Sequence, residues 1–131
     1  MEKKDLLKDV IKHIDIKSYD STQLIDAMRN MSFTSRDTAR AADILMMMCK
    51  EKECTNILTL AGSTSAAGCM QVYVDMVRNK MIDVVVATGA SIIDMDLFEA
   101  LGYKHYIGEK ENVIPDTTLR DLCIDRIYDT Y

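Results

Sequence analysis

The sequence contains one proline, Pro115, and no low-complexity tract, so a disordered chain is excluded. It lacks an excess of cations: the net charge is -5, which argues against a nucleic-acid partner, because such affinity rests on lysine and arginine neutralising phosphates. An acidic surface suits cationic ligands better, although a modest negative charge is also what keeps an ordinary protein in solution. Cys-x-x-Cys pairs are missing: Cys49, Cys54, Cys69 and Cys123 stand apart with only His13 and His105 for company, which speaks against zinc ligation. Met1 to Asp9 carry charge and no apolar signal core, so a cytoplasmic location with reduced thiols is expected. The longest run without charge, Cys54 to Val74, is broken by Thr, Asn, Ser and Gln and predicts no membrane span. No fixed-period repeat occurs, which excludes a solenoid.

What is present is one domain's worth of chain, 131 residues with 48% hydrophobic and 28% charged side chains. A globular domain of that size buries roughly two thirds of the surface its unfolded chain exposes. Within 1–20, Leu6, Leu7, Val10 and Ile11 predict a short amphipathic helix over Lys3 to Lys12, followed by a polar tether around Asp15 to Asp20. Residues 21–53 read as a helical pair. Asp20, Ser21 and Thr22 supply N-cap chemistry for a helix to about Met31, with Leu24, Ile25 and Met28 as its stripe. Thr34 and Ser35 cap a longer helix whose apolar residues Ala39, Ala42, Ile44, Leu45 and Met46 to Met48 exceed one narrow face and predict burial, with Met46 to Met48 filling core.

From 54 to 131 the pattern changes. Ile57 to Leu60 is an apolar run ending in the small-residue stretch Ala61 to Gly68; Met70, Tyr73, Val74, Val77 and Met81 then recur at helical spacing and predict a helix over about Ala67 to Lys80. Ile82 to Ala87 is a second β-branched run, closed by Thr88 to Ser91, with another helix from about Ile93 to Leu101. Gly102 ends that helix, Tyr103 to Gly108 alternates as a short strand, Asn112 to Pro115 is loop, and Asp116 caps a helix to Cys123. Strand, turn, helix, repeated with strands apolar on both faces, predicts an α/β fold: a Rossmann-like parallel sheet with helices on both faces.

In such a sheet ligands bind beyond the carboxyl ends of the strands, where both small-residue turns lie. Amide groups at a following helix N-terminus accept a phosphate. Neither turn carries Lys or Arg, and the G-x-G-x-x-G fingerprint is absent, so charge would be met by amides and by the hydroxyls of Ser63, Thr64, Ser65 and Thr88. On spacing alone, two ordinary turns made small for close packing take precedence over a ligand site. Asp94 fits equally a contact to ribose or an amine and the last residue of a capping box begun by Ser91. Asp96 is expected on a solvated face. His105 is read as a half-exposed strand histidine ahead of an acid or base, and no side chain stands in the neighbourhood of an activated nucleophile.

Four blocks in order resemble one family. Ile57 to Gly68 (ILTLAGSTSAAG), Asp83 to Ala90 (DVVVATGA), Phe98 to Tyr106 (FEALGYKHY) and Ile124 to Tyr131 (IDRIYDTY) are similar to deoxyhypusine synthase, in its archaeal and bacterial deoxyhypusine-synthase-like branch. The resemblance runs from about His13 to the last residue. It implies a Rossmann-like fold, a homotetramer with sites across dimer interfaces, and bound NAD. The implied reaction dehydrogenates spermidine, passes its aminobutyl group to an enzyme lysine as an imine, and delivers it to a lysine of the hypusine-containing translation factor. Relatives in the branch transfer to a small amine, giving homospermidine.

Carried over residue by residue, the resemblance puts the first NAD turn at Gly62, Ser63, Thr64, Ser65 and Ala66 and the second at Thr88, Gly89 and Ala90. Asp94 takes the position of an acidic residue touching both NAD and spermidine, where many members have glutamate, and Ile93 stands where some are acidic. The family's tethered N-terminal helix, which plugs a partner's active-site entrance, corresponds to Lys3 to Lys12. Members continue well beyond the block at Ile124 to Tyr131, and the imine-forming lysine and the spermidine-binding histidine are expected in that further part. Lys104 is no substitute. This chain is therefore expected to be an N-terminal half, joined by a complementing C-terminal half, or else a non-catalytic oligomerising subunit. A sirtuin-like deacylase is excluded by the missing Cys-x-x-Cys pairs.

Overall fold

A computed structural model describes residues 1–108 and 113–131; the loop expected from Asn112 begins outside the described residues. The elements in order are α1 (Lys3–Leu6), a 3-10 turn (Ile16–Ser18), α2 (Thr22–Met28), α3 (Phe33–Lys50), β1 (Ile57–Leu60), α4 (Met70–Arg78) and β2 (Val84–Ala87). Then α5 (Gly89–Ser91), a π-helical turn (Ile92–Asp96) and α6 (Leu97–Ala100) run on without a break, and α7 (Asp116–Asp121) follows. No helix among the described residues is long and apolar enough to cross a membrane.

β1 and β2 pair as a two-stranded sheet. The Val84 amide donates to Asn56 O at 3.2 Å and the Thr88 amide to Leu60 O at 3.2 Å, a constant offset along both strands, so the pairing is parallel. The order β1, α4, β2, α5 is the expected alternation. A mixed α/β chain with a small parallel sheet is therefore what these residues form.

The chain divides into two compact units, one comprising Met1–Ile14, Leu60–Gln71 and Ala87–Tyr131, the other Asp15–Thr59 and Val72–Val86. In the first, Leu6, Ile114, Leu119 and Ile124 form a buried cluster against which Leu7, Leu122 and Tyr131 pack. α1 is thus anchored on α7 of its own chain, and Lys3 Nζ donates to Cys123 O at 3.0 Å. The helix expected over Lys3 to Lys12 stops at Leu6 because the next apolar residues are used differently. Val10 bridges Tyr106 in antiparallel fashion, the Ile11 amide donates to His105 O at 2.9 Å, and the Ile107 amide to Asp9 O at 2.7 Å. Isolated helices this short are marginal, so extended pairing of β-branched Val10 and Ile11 prevails.

In the second unit Ala39 and Ile82 are the buried apolar residues among those described. The expectation that α3 is largely buried fails: Ile44, Met46 and Met47 are exposed. Polar contacts hold this unit instead. Lys17 Nζ lies 2.8 Å from the buried Asp75 carboxylate, Arg29 joins Asp26 to Asp43, and Asn56 Nδ2 donates to Met81 O at 3.0 Å. The β2 valines, expected to be covered on both sides, are exposed at all three positions, Val84, Val85 and Val86.

Candidate functional site

The first turn leaves β1 at Leu60 and winds tightly: the Ala67 amide donates to Ser63 O at 3.0 Å and the Cys69 amide to Thr64 O at 2.9 Å. Gly62 has φ +83°, a left-handed conformation that glycine adopts without strain, and a side chain built there would meet nothing within 4 Å. The second turn is shorter. Thr88 is the extended residue before α5, whose first residue is Gly89 rather than the expected Ile93.

One buried hydroxyl ties the turns together. Ser91 is fully buried, its Oγ donates to Gly62 O at 2.6 Å, and it lies 3.4 Å from Thr88 Oγ1. Ser91 therefore sits inside the helix, and the capping box proposed for Ser91 and Asp94 does not form. The amides of Gly62, Ser63 and Thr64 find no backbone acceptor among the described residues, and those of Gly89 and Ala90 begin a helix, where no intrahelical acceptor exists. Thr64 Oγ1 is buried without a hydrogen-bond partner among the described residues. Two sets of amide donors without backbone acceptors, an open space at Gly62 and a buried hydroxyl without a partner among the described residues are the groups an anionic ligand such as a phosphate would engage.

The other expected residues divide. Ser65 and Ala66 are buried, and Ser65 Oγ donates to the Asp96 carboxylate, so that side chain points inward. Asp96 is half-buried rather than on the expected solvated face. The reason is the π turn, which rotates residues 92–96 away from the positions a regular helix would give them. Asp94, on the same turn, is exposed and borders a cavity of about 800 Å³ together with His105, Tyr103, Tyr106 and Asp125; the residues of the two turns are not among those lining it.

Sequence reading missed a second constellation. Glu99, on α6, is buried and receives both histidines of the chain, His13 and His105. His105 is thus a paired, largely buried side chain, not the half-exposed strand histidine expected. Nothing in spacing could have signalled it, since His13 and Glu99 are 86 residues apart.

Two parallel strands, each running into a glycine-bearing turn and then a helix, define a mixed α/β chain with a small parallel sheet. The chain belongs to the deoxyhypusine synthase family, whose model, described as "Deoxyhypusine synthase", matches residues 23–131. It is 62% identical over 130 residues to a deoxyhypusine synthase-like protein of Caulobacter vibrioides, covering 99% of this chain and 35% of that protein. A deoxyhypusine synthase-like protein of Coxiella burnetii is 57% identical, with 98% and 36% covered. A probable deoxyhypusine synthase 2 of Methanosarcina acetivorans is 36% identical, with 90% and 33% covered. The chain spans about a third of the length of these curated relatives.

Proposed function

We propose that this chain contributes the nucleotide-binding part of a deoxyhypusine-synthase-like, NAD-dependent transferase that removes the aminobutyl group of spermidine and passes it to a lysine of the hypusine-containing translation factor. The observation that carries the proposal is the pair of turns tied by Ser91 in a chain of this family. Gly62, Ser63, Thr64, Gly89 and Ala90 would meet the pyrophosphate of NAD through their amides, with the Thr64 hydroxyl as a further donor and Ser65, Ala66 and Thr88 shaping the turns. Asp94 would hold an ammonium of spermidine. NAD, when bound, supplies the hydride acceptor for amine oxidation. The complete Rossmann-like sheet, with helices on both faces, a tetrameric assembly and the imine-forming lysine would come from further protein sequence.

The test is NAD binding by calorimetry, followed by NADH formation from spermidine, for the chain alone and with a complementing C-terminal portion. Binding without turnover alone, and turnover in the combined protein, is the expected result. No NADH in any combination overturns the enzymatic reading. Product analysis separates transfer to a protein lysine from transfer to a small amine. Uncovered valines on β2 favour one further reading, a non-catalytic oligomerising subunit. Assembly without nucleotide binding would support it.

A further inference from the structure

Both histidines of the chain end on one carboxylate. Glu99, its side chain 4% exposed, has Oε2 2.5 Å from His13 Nε2 and Oε1 2.6 Å from His105 Nδ1. The Met70 amide donates to His13 Nδ1 at 3.3 Å. An amide cannot accept, so His13 Nδ1 is the acceptor and its proton sits on Nε2, donating to Glu99. With Glu99 as the acceptor of both rings, His105 donates from Nδ1 and its Nε2 keeps a bare lone pair. That nitrogen has no hydrogen-bond partner among the described residues, and the side chain as a whole is 16% exposed. The ring borders the cavity of about 800 Å³.

The same cavity is lined by the carboxylates of Asp94 and Asp125 and by the cations Lys104 and Arg126; the Arg126 guanidinium lies 2.5 Å from Asp116. A bare imidazole nitrogen, two carboxylates and neighbouring tyrosines suit an alkyl ammonium ligand. We propose that His105 is the general base of an amine site in this cavity, with Glu99 and His13 as positioning residues. The step is a proton transfer: one N–H bond of the bound ammonium breaks, its electron pair stays on the amine nitrogen, and an N–H bond forms at His105 Nε2. The resulting imidazolium keeps its Nδ1 donor on Glu99, which holds the ring in place. No oxidant enters this step, and a neutral amine is the form that can subsequently lose hydride or attack a carbon centre. The inference takes the amine character of the ligand from the proposed function and adds a proton acceptor to it.

Two measurements test it. Histidine-labelled NMR of the 131-residue chain at neutral pH should show His13 protonated at Nε2 and His105 at Nδ1, with added spermidine moving the His105 signals and leaving those of His13 in place. A His105 ring protonated at Nε2 in the free chain, or unmoved by spermidine, overturns the proposal. In the combined protein, His105→Gln should lower spermidine-dependent NADH formation about 100-fold or more through kcat rather than KM and remove the rise of rate with pH. Glu99→Gln should leave His105 in mixed tautomers, because an amide oxygen can replace only one of two accepting oxygens. If His105→Gln, folded by circular dichroism, keeps the wild-type rate, the base is elsewhere. If wild type itself forms no NADH, the transferase reading fails, and the NMR result decides this one independently.

Discussion

At Ser91 a single hydroxyl decides whether two turns act as one surface. It is fully buried and its acceptor, Gly62 O, belongs to the opposite turn. Ser91→Ala should lower stability by about 1 kcal/mol, the usual net worth of such a bond, and weaken NAD binding by more than that loss accounts for, since the turns separate. Denaturant unfolding and calorimetry on the same variant check both. Two glycines make a sharper pair. Gly62→Ala places a side chain at φ +83° in open space, so the loss should be about 1–2 kcal/mol from backbone strain while nucleotide binding is abolished. Gly68→Ala, at φ +79°, also sets its Cβ 3.0 Å from Lys12 O, and should destabilise more. Equal unfolding midpoints for the two variants would refute this. The small-residue strings that held these positions were legible in the sequence. The roles of Ser91 and Ser65 were not, because the direction of each hydroxyl depends on where a helix begins and on a π turn that no local pattern announces.

At the scale of elements, order and type were largely legible and boundaries were not. The strands and the helices after them follow from apolar runs and turn chemistry, whereas the N-terminal helix lost more than half its expected length to pairing between Val10 and Tyr106, residues far apart in sequence. α2 shows a cap displaced by one residue. Asp20, not Ser21, receives the Thr22 amide, at 2.9 Å. Hydrogen bonds from Thr22 hold the Asp20 carboxyl below its ordinary 3.8. A depressed carboxyl stabilises the fold above the unfolded value, and this contribution is lost as pH falls through the lower folded value. Lys17, raised above 10.5 chiefly by its hydrogen bond to Asp75, acts at the other end: its contribution is present below 10.5 and lost as pH rises through the folded value. Circular dichroism against pH should therefore show Asp20→Ala with a weaker acid dependence and Lys17→Met with a weaker alkaline one. A variant whose curve overlays wild type at its own end removes that assignment.

For the molecule as a whole, β2 carries the decisive observation. Successive strand residues point to opposite faces, so exposure of Val84, Val85 and Val86 in a row means that neither face is fully covered by the described residues. Parallel sheets are normally buried on both faces, and relatives of about three times this length have the residues to do it. Apolar patterning made the strands legible, but it reports what a finished sheet would bury and not how much of the sheet one chain supplies. The chain alone should bind an apolar dye such as ANS strongly. Co-expressed with the C-terminal portion of the Caulobacter vibrioides relative, it should form a complex in which the dye signal falls several-fold, and Val85→Asp should prevent that complex. Sedimentation at several concentrations separates the alternative, because pairing between copies of this chain would quench dye binding as concentration rises with no second protein present. Dye binding undiminished in a stable complex would place the joining surface away from β2, and the valines would then need another cover.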